Sequence, residues 1–316
     1  MTEPGGSSAE SGQHWFAGRD VQVLLFRINR RPYAGPETLF DDLFVPPTSV
    51  LDHLEEVLRD PRPVDSGRRY KRTWRIGNKR FDHRLGLFTG MIGWARSEIS
   101  VGNVFNEVTD EWVDRFTSSD ITAVAPFAFR ADGRYLGILK HSSFEEKTLA
   151  HVFQEFLQRG ERSRPSFATD WAVEPVGDEQ EFIDWMNSVD SVQSVEFIFR
   201  RPNPDAEREF EDLFQRLDAL EASQIKEVIA ARDAERGLNR ENLQRDPSSR
   251  GFIAAAMVAF GYLVGRGTLD GGKVKYDQRE RAAREEIQNV SPSWEGATAE
   301  VARAVARWLD RRQRSG

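Results

Sequence analysis

The run ITAVAPFAFRADGRYLGILK, residues 121–140, is the stretch that decides the fold class. Two segments rich in apolar, β-branched and aromatic residues, 121–129 and 134–140, flank Ala131-Asp132-Gly133, and a short glycine-containing loop between such segments predicts a β-hairpin. The segment that follows, 144–158, changes to helical spacing and has one apolar face. A hairpin that leads directly into a helix predicts an α+β fold.

Upstream of this hairpin, the sequence predicts more strands. Residues 20–28 form a β-rich run, and 70–76 and 79–87 flank Gly77-Asn78, a dipeptide typical of a two-residue hairpin turn. Further expected elements are a strand at 88–99 and two helices, from Ser49 to Arg59 and from Phe144 to Gln158, with capping boxes starting at Ser49 and Ser143. We therefore predict that residues 20–160 form a mostly antiparallel-sheet domain that carries a basic hairpin.

The segment GERSRPS, residues 160–166, breaks the periodicity and is interpreted as a boundary. Residues 167–316 are predicted to form a second α+β domain with a long charged helix and a C-terminal helix. Its expected elements are strands at 171–176 and 192–200, a short helix at 179–187, the long helix at 205–236, a strand at 251–265 with a returning strand after the turn at 269–273, and a final helix at 296–312.

Composition limits the class of protein. The chain has 316 residues, 39% hydrophobic and 30% charged, which is the balance of a folded soluble protein. It contains no cysteine, and this excludes disulfides, thiolate metal sites and a cysteine nucleophile. No stretch approaches the ~20 apolar residues that cross a bilayer. We expect a cytoplasmic protein without membrane insertion, and a disordered tail over residues 1–19.

Catalytic motifs do not emerge from the sequence. The five histidines have no metal-ligand spacing, and neither a G-x-S-x-G elbow nor a phosphate-binding GxxxxGK[ST] loop occurs. The sequence therefore assigns no catalytic residue, no metal and no cofactor, and it favours a binding protein over an enzyme. A metal-dependent nuclease is a third hypothesis, with Asp120, Asp132 and Glu174 near strand ends as its candidates.

The most informative feature is a basic window at residues 62–84. It carries nine Lys and Arg against two Asp, a charge of +7 in a chain whose net charge is −7. Basic side chains interleaved with aromatic ones can neutralise phosphates and stack on bases. The residues predicted to bind nucleic acid are Arg68, Arg69, Lys71, Arg72, Trp74, Arg75, Lys79, Arg80 and Arg84, with Arg303, Arg307 and Arg311 as auxiliary contacts.

Two alternatives stay open for this window. The same basic surface could dock an acidic protein, which would make the chain a protein–protein adaptor or effector subunit, or it could be a plain solvated surface.

The order of several motifs resembles a known family. The motifs are AVAPFAFRADGRYLGILK (123–140), FEEKTLAHVFQEFL (144–157), WAVEPV (171–176) and VEFIFRRPNP (195–204). In this order and pattern the chain resembles the DNA-binding Rex-type phage-exclusion proteins and related bacterial anti-phage defence proteins. The resemblance implies a sequence-independent DNA binder, a homodimer that works with a separate effector in phage defence. It carries no individual residue over.

Overall fold

The computed structural model of the chain describes residues 14–32, 49–66, 72–96, 102–115, 122–164, 169–200 and 210–315. Helices and strands are mixed along the chain, which confirms the α+β prediction. The strands are β1 Val21–Pro32, β2 Val64–Ser66, β3 Arg72–Asp82, β4 Leu87–Arg96, β5 Gly102–Asn106, β6 Glu111–Arg115, β7 Ala123–Arg130, β8 Tyr135–Leu139, β9 Thr169–Pro175, β10 Ser191–Arg200, β11 Gln224–Ala230, β12 Gly261–Leu269, β13 Gly272–Asp277 and β14 Arg284–Ile287. The helices are α1 Val50–Val57, α2 Glu146–Arg162, α3 Glu179–Ser188, α4 Glu211–Ala219, α5 Arg240–Arg245, α6 Pro247–Met257 and α7 Trp294–Ser315.

The first sheet is antiparallel, in the order β14-β1-β8-β7-β4-β3-β2, and β9 pairs with the second half of β1. β5 and β6 form a separate two-stranded hairpin. Because β9 and β14 follow residues 160–166 in the chain, the first sheet takes strands from both sides of that segment. The split predicted at 160–166 therefore does not coincide with the division between the sheets.

Helices cover both faces of the first sheet. A Cβ on Gly137 of β8 would meet Val305 and Val301 of α7. The next residue, Ile138, points to the opposite face and pairs with Phe127, whose ring lies 5.4 Å from that of Phe153 in α2. α7 and α2 therefore enclose the sheet between them, and the apolar residues of all three layers form one core.

The second sheet has the order β11-β10-β12-β13. Val195, Phe197 and Phe199 of β10 are buried on the face that packs against helices, where the ring of Phe197 stacks 5.6 Å from Phe252 of α6. A Cβ on Gly265 would lie only 2.3 Å from the Trp185 ring of α3, so this glycine lets α3 approach the same face. We call this the closed face, and the opposite one the open face.

Several predicted elements are confirmed. Ser49 caps α1 by accepting from the backbone N–H groups of Leu51 and Asp52, and the predicted apolar face of this helix is buried. The β7–β8 hairpin turns at Ala131-Asp132-Gly133, and α3, β10, the β12–β13 hairpin and α7 lie within a few residues of their predicted positions.

The long helix predicted at 205–236 is wrong in the part that the structure describes. α4 ends at Ala219, Glu221 adopts a φ of 48°, and residues 224–230 form β11 instead. The alternating Ile225 and Ile229 suit a strand, and pairing with β10 supplies the backbone hydrogen bonds that the helix would have made. Residues 205–209 lie outside the described residues.

The strand predicted at 251–265 is wrong in its first half, which is helical, and correct from Gly261 onward. α6 runs to Met257, because Asp246 caps its N-terminus and Pro247 occupies its first turn, both strong helix-start signals. Ala259 then takes a φ of 58°, and the strand begins only at Gly261.

Two turn and cap predictions are also corrected. Gly77-Asn78 is a bulge inside the continuous strand β3, where Asn78 has a φ of 54° and the register with β4 shifts; the actual turn lies at residues 83–86. At the start of α2, Glu145 is the N-cap without a side-chain hydrogen bond, so Ser143 forms no capping box.

The N-terminal tail is shorter than predicted. Phe16 is fully buried, and the Trp15 indole N–H donates to the Val124 carbonyl at 2.8 Å, so residues 14–19 belong to the fold. Residues 1–13 of the predicted tail lie outside the described part of the chain. Among the described residues, no helix has the length and hydropathy that a membrane-spanning helix needs.

Candidate nucleic-acid interface

Trp74, predicted to stack on bases, is a core residue. Its side chain is fully buried, its indole N–H donates to Ser66 Oγ at 2.7 Å, and its ring packs against Trp94 and Phe144. Its position in β3 explains the burial, since Trp74 and Ile76 point to the α2 side of the sheet. In this fold the ring has no exposed surface with which to stack on a base.

The described cations of the basic window are largely neutralised within the fold. Three ion pairs hold them: Arg75 with Glu107 at 2.8 Å, Lys79 with Asp110 at 2.5 Å and Arg80 with Glu295 at 2.6 Å. The Lys79 ammonium also donates to the backbone carbonyls of residues 58 and 59. The charge counted along the sequence is therefore partly cancelled by acids far from it in the chain.

Arg72 and Arg84 differ from these pairs. The guanidinium of Arg72 lies 4.4 Å from the centre of the Trp94 ring, which it covers. Arg84 is exposed and has no ion-pair partner among the described residues. Arg68, Arg69 and Lys71 lie outside the described residues.

The auxiliary arginines of α7 do not form a free basic patch. Arg307 and Arg311 both pair with Glu285 of β14, and Arg303 lies 3.7 Å from Glu300 within the helix. Arg307 and Arg311 thereby link α7 to β14 of the first sheet.

The two described nuclease candidates, Asp132 and Glu174, lie in different ion pairs. Asp132 pairs with Arg130 in the β7–β8 turn at 2.6 Å, and Glu174 pairs with Arg200 at 2.9 Å. Asp120 lies outside the described residues. Within the described ranges, no group of three metal-ligating side chains occurs.

The open face of the second sheet concentrates cations that the sequence analysis did not single out. Because Val195, Phe197 and Phe199 point to the closed face, their neighbours in β10 and the residues paired with those neighbours point to the open face. The cations on this face are Arg200, Lys226, Arg266, Lys273 and Lys275, and Arg279 joins them directly after β13; the acids are Glu196 and Asp277. Six cations against two acids give the open face a net charge of +4.

The two acids of the open face anchor the cations around them. Glu196 lies 3.0 Å from Lys226 and 3.5 Å from Arg266. The hydrogen bond from Lys226 lowers the pKa of the Glu196 carboxyl, and this effect exceeds the small opposing effect of burial. Glu196 thus stays ionised and holds two exposed cations on neighbouring strands.

Asp277 plays the same part at the other edge. It is buried and accepts from Lys275 at 2.7 Å and from Arg279 at 2.7 and 2.9 Å. Burial opposes its ionisation, but the hydrogen bonds from Arg279 and Lys275 outweigh burial and hold the pKa of Asp277 well below its usual range. The same contact raises the pKa of the Arg279 guanidinium.

A cleft lies where the open face meets the first sheet. The Arg279 and Arg200 guanidinium groups lie 4.3 Å and 5.5 Å from the centre of the Tyr262 ring, and Arg200 reaches Glu174 of β9. α2 contributes Lys147, Ala150, His151 and Gln154 to the wall of this cleft, whose volume is about 210 Å³.

A weak sequence signal for the open face existed. In Lys273-Val274-Lys275-Tyr276-Asp277 the apolar residues alternate with charged ones, which places both lysines on one side of the strand. The remaining cations come from β10, β11 and β12, the most distant being Arg200, 75 residues before Lys275, and only the pairing register aligns them.

Comparison with known families adds the context. Residues 106–302 match the family described as a domain of unknown function, DUF4747. The chain belongs to this family. The matched segment contains all the open-face residues and all the residues that line the cleft, whereas the basic window at 62–84 precedes it. No curated protein matches the sequence.

Proposed function

We propose that this DUF4747 protein binds nucleic acid, and that the open face of the second sheet is its interface. The observation that carries the proposal is the net charge of +4 on one face of a sheet whose chain is otherwise acidic. Exposed cations neutralise phosphates and release counterions, which supplies most of the sequence-independent affinity for nucleic acid.

The geometry of the open face supports a phosphate-binding role. The side chains of Lys226, Arg266 and Lys275 are each about half exposed although their charged ends pair with Glu196 or Asp277. A cation that is held in place but still accessible loses little conformational freedom when it meets a phosphate. With +4 on this face, the rest of a chain of −7 carries −11, so that the protein approaches a polyanion with this face forward.

The basic window is a second candidate surface, and one observation favours it. Arg84 is exposed without an ion-pair partner among the described residues, and Arg62 is exposed as well. The same proposal includes a DNA-binding role in phage defence, a homodimer, a separate effector and a cytoplasmic location. An adaptor that docks an acidic protein on the open face is the alternative.

Two triple variants distinguish the surfaces. Arg266→Gln, Lys273→Gln, Lys275→Gln removes three charges from the open face, and Arg62→Gln, Arg80→Gln, Arg84→Gln removes three exposed charges from the basic window. Binding of labelled duplex and single-stranded DNA and RNA is followed by fluorescence anisotropy between 50 and 200 mM salt, a range over which phosphate contacts weaken strongly.

We expect the open-face variant to lose affinity for all sequences and to flatten the plot of log K against log salt by about 0.9 per lost duplex phosphate contact. The basic-window variant should bind as the wild type does. If only the basic-window variant loses affinity, the interface lies at residues 62–84 instead. Wild-type protein that binds none of the four probes at micromolar concentration would refute the proposal, and an acidic protein retained from nuclease-treated lysate by the wild type but not by the open-face variant would establish the adaptor.

A further inference from the structure

We propose that the cleft between the two sheets binds a phosphate monoester, and that this group is the terminal phosphate of a strand lying on the open face. The inference rests on the proposed function for the source of the phosphate. For the chemistry of the site it rests on the cleft alone.

The charge of the cleft fits a dianion. Lys147, Arg200 and Arg279 contribute three permanent positive charges to its lining, and Glu174 contributes one negative charge. The charged side chains of the lining alone therefore sum to +2, without the acids that border it. A phosphate monoester carries about −1.5 to −2 at pH 7, whereas a phosphodiester within a strand carries one negative charge. The cleft matches the end of a strand better than its interior.

The two arginines are fixed before any ligand arrives. Arg279 uses Nε and Nη2 on the two carboxylate oxygens of Asp277, and its Nη1 is left to donate elsewhere. Arg200 donates from Nη1 to Glu174, and its Nε and Nη2 have no acceptor among the described residues. Because both guanidinium groups also lie over the Tyr262 ring, their orientation is set by two kinds of contact each.

The single carboxylate in the lining does not oppose an anion strongly. Glu174 is 7% exposed, and its carboxylate is paired with Arg200 at 2.9 Å. This ion pair holds Arg200 in position. Two further acids border the lining. Asp277 holds Arg279, and Glu280 lies 3.6 Å from Lys147, where both side chains are more than half exposed, so Lys147 is able to turn toward a phosphate.

The shape of the cleft also selects a strand end. Its volume of about 210 Å³ is below the range of roughly 300–1,000 Å³ typical of pockets that enclose drug-sized ligands. It has room for a phosphate with part of its sugar. On one side α2 forms the wall, with Lys147, His151 and Gln154, and on the other the cleft meets the open face at Arg200 and Tyr262. A strand on the open face would therefore end at α2.

The test compares oligonucleotides that differ only at their ends. The full-length protein is titrated with a single-stranded 12-mer that carries a 5′-phosphate, a 3′-phosphate or hydroxyl groups at both ends. Nucleoside 5′-monophosphate and inorganic phosphate are titrated by calorimetry. The variant is Lys147→Gln, at an exposed position where the fold is not at risk, and the control is Lys273→Gln, on the open face outside the cleft; thermal melting establishes that both are folded.

We expect one of the two phosphorylated 12-mers to bind about tenfold more tightly than the hydroxyl form, since one additional charge-assisted hydrogen bond contributes at least that factor. Lys147→Gln should reduce this preference, while Lys273→Gln should weaken all three 12-mers and leave the ratio unchanged. If the 12-mers bind with equal affinity, the terminal-phosphate inference is refuted and the proposed function stands. If no 12-mer binds but the monophosphate binds and Lys147→Gln weakens it, the cleft is a site for a free phosphate monoester and the proposed function fails. If neither class of probe binds, both are refuted.

Discussion

The guanidinium of Arg279 lies 4.3 Å from the centre of the Tyr262 ring while it donates two hydrogen bonds to the Asp277 carboxylate. An arginine held by a carboxylate at one edge and by an aromatic ring at its face has little freedom left. The contact joins β12 to the segment after β13 and fixes the cation at the mouth of the cleft. It is the structural basis of the first prediction.

Two substitutions at Tyr262 should distinguish the contribution of its aromatic ring to binding from that of its hydroxyl group. Tyr262→Phe keeps the aromatic face over which both guanidinium groups lie, so we expect unchanged affinity for single-stranded DNA. Tyr262→Leu removes that face and with it a cation–π contribution of about 0.5–1 kcal/mol per exposed contact. The leucine variant should bind a few-fold more weakly, as measured by anisotropy at low salt. Equal affinities in both variants would show that the ring does not position the arginines.

Gly265 should tolerate no side chain. A Cβ there would lie 2.3 and 2.4 Å from two atoms of the Trp185 ring, and that ring packs against Phe182 and Tyr276 and has little room to move. Gly265→Ala should therefore lower the free energy of unfolding by about 1–3 kcal/mol through overpacking. Urea denaturation measures the change.

Gly251 is the matched control for that substitution. It lies inside α6, and the nearest atom to a Cβ built on it is Leu213 Cδ1 at 4.0 Å. Alanine in a helix interior is more stable than glycine by about 0.5–1 kcal/mol. Gly251→Ala should thus raise the unfolding midpoint, and a shift in the same direction as Gly265→Ala would contradict the packing argument.

A buried polar network between α1, α2 and β9 should make stability depend on Arg164. The Glu161 carboxylate is fully buried, lies 2.7 Å from His53 Nε2, accepts from the Trp171 indole N–H at 2.9 Å and pairs with Arg164 at 3.3 Å. Burial opposes ionisation, yet the contact with His53, the hydrogen bond from Trp171 and the charge of Arg164 outweigh burial and keep the pKa of Glu161 below its usual value.

A carboxyl whose pKa is lower in the folded state contributes stability above its unfolded pKa, and this contribution is lost as pH falls through the folded pKa. Arg164→Met removes one of the groups that lower the pKa of Glu161, so the folded-state pKa should move toward the unfolded value and the variant should lose less stability on acidification than the wild type does. At neutral pH the variant should lose about 3 kcal/mol, because it leaves a buried carboxylate without its cation.

Arg303→Met is the control for the Arg164 prediction. It breaks an exposed pair with Glu300 at 3.7 Å, and such pairs contribute about 0–1 kcal/mol. Urea unfolding at a series of pH values compares the two variants. Identical pH profiles for Arg164→Met and the wild type would show that Arg164 does not stabilise the buried carboxylate.

Replacement of Trp74 should lower the stability of the fold without changing its affinity for nucleic acid. Because its ring is fully buried and its indole N–H is bonded to Ser66, Trp74→Ala should cost about 3–5 kcal/mol, as other large-to-small core substitutions do. Below its melting temperature, the folded variant should bind single strands as the wild type does. A folded Trp74→Ala protein with normal stability and weakened binding would restore the tryptophan to the interface.

Much of the local structure could be predicted because its signals are local. The apolar spacing of α1 with Ser49 before it, and the glycine turn between β7 and β8, depend on neighbouring residues only. The predicted long helix failed because Gln224–Ala230 is compatible with both helix and strand, and pairing with β10 decided between them.

The candidate site was predictable only in part. The amphipathic Lys273–Asp277 segment indicated a strand with cations on one side, but the basic window had the higher density of charge along the chain. Counting charges in a window neglects acids that approach from elsewhere, such as Glu295, which lies 215 residues after Arg80 and pairs with it.

By itself, the sequence determined the α+β class, the positions of most helices and hairpins, and the lack of cysteine chemistry, because propensity, periodicity and composition are properties of adjacent residues. Only the tertiary structure decided which cations keep their charge available. Ion pairing depends on strand register and on helix packing between segments far apart in the chain. Arg75, Lys79 and Arg80 each have an acid of their own, whereas Lys226 and Arg266 share Glu196, and Lys275 shares Asp277 with Arg279.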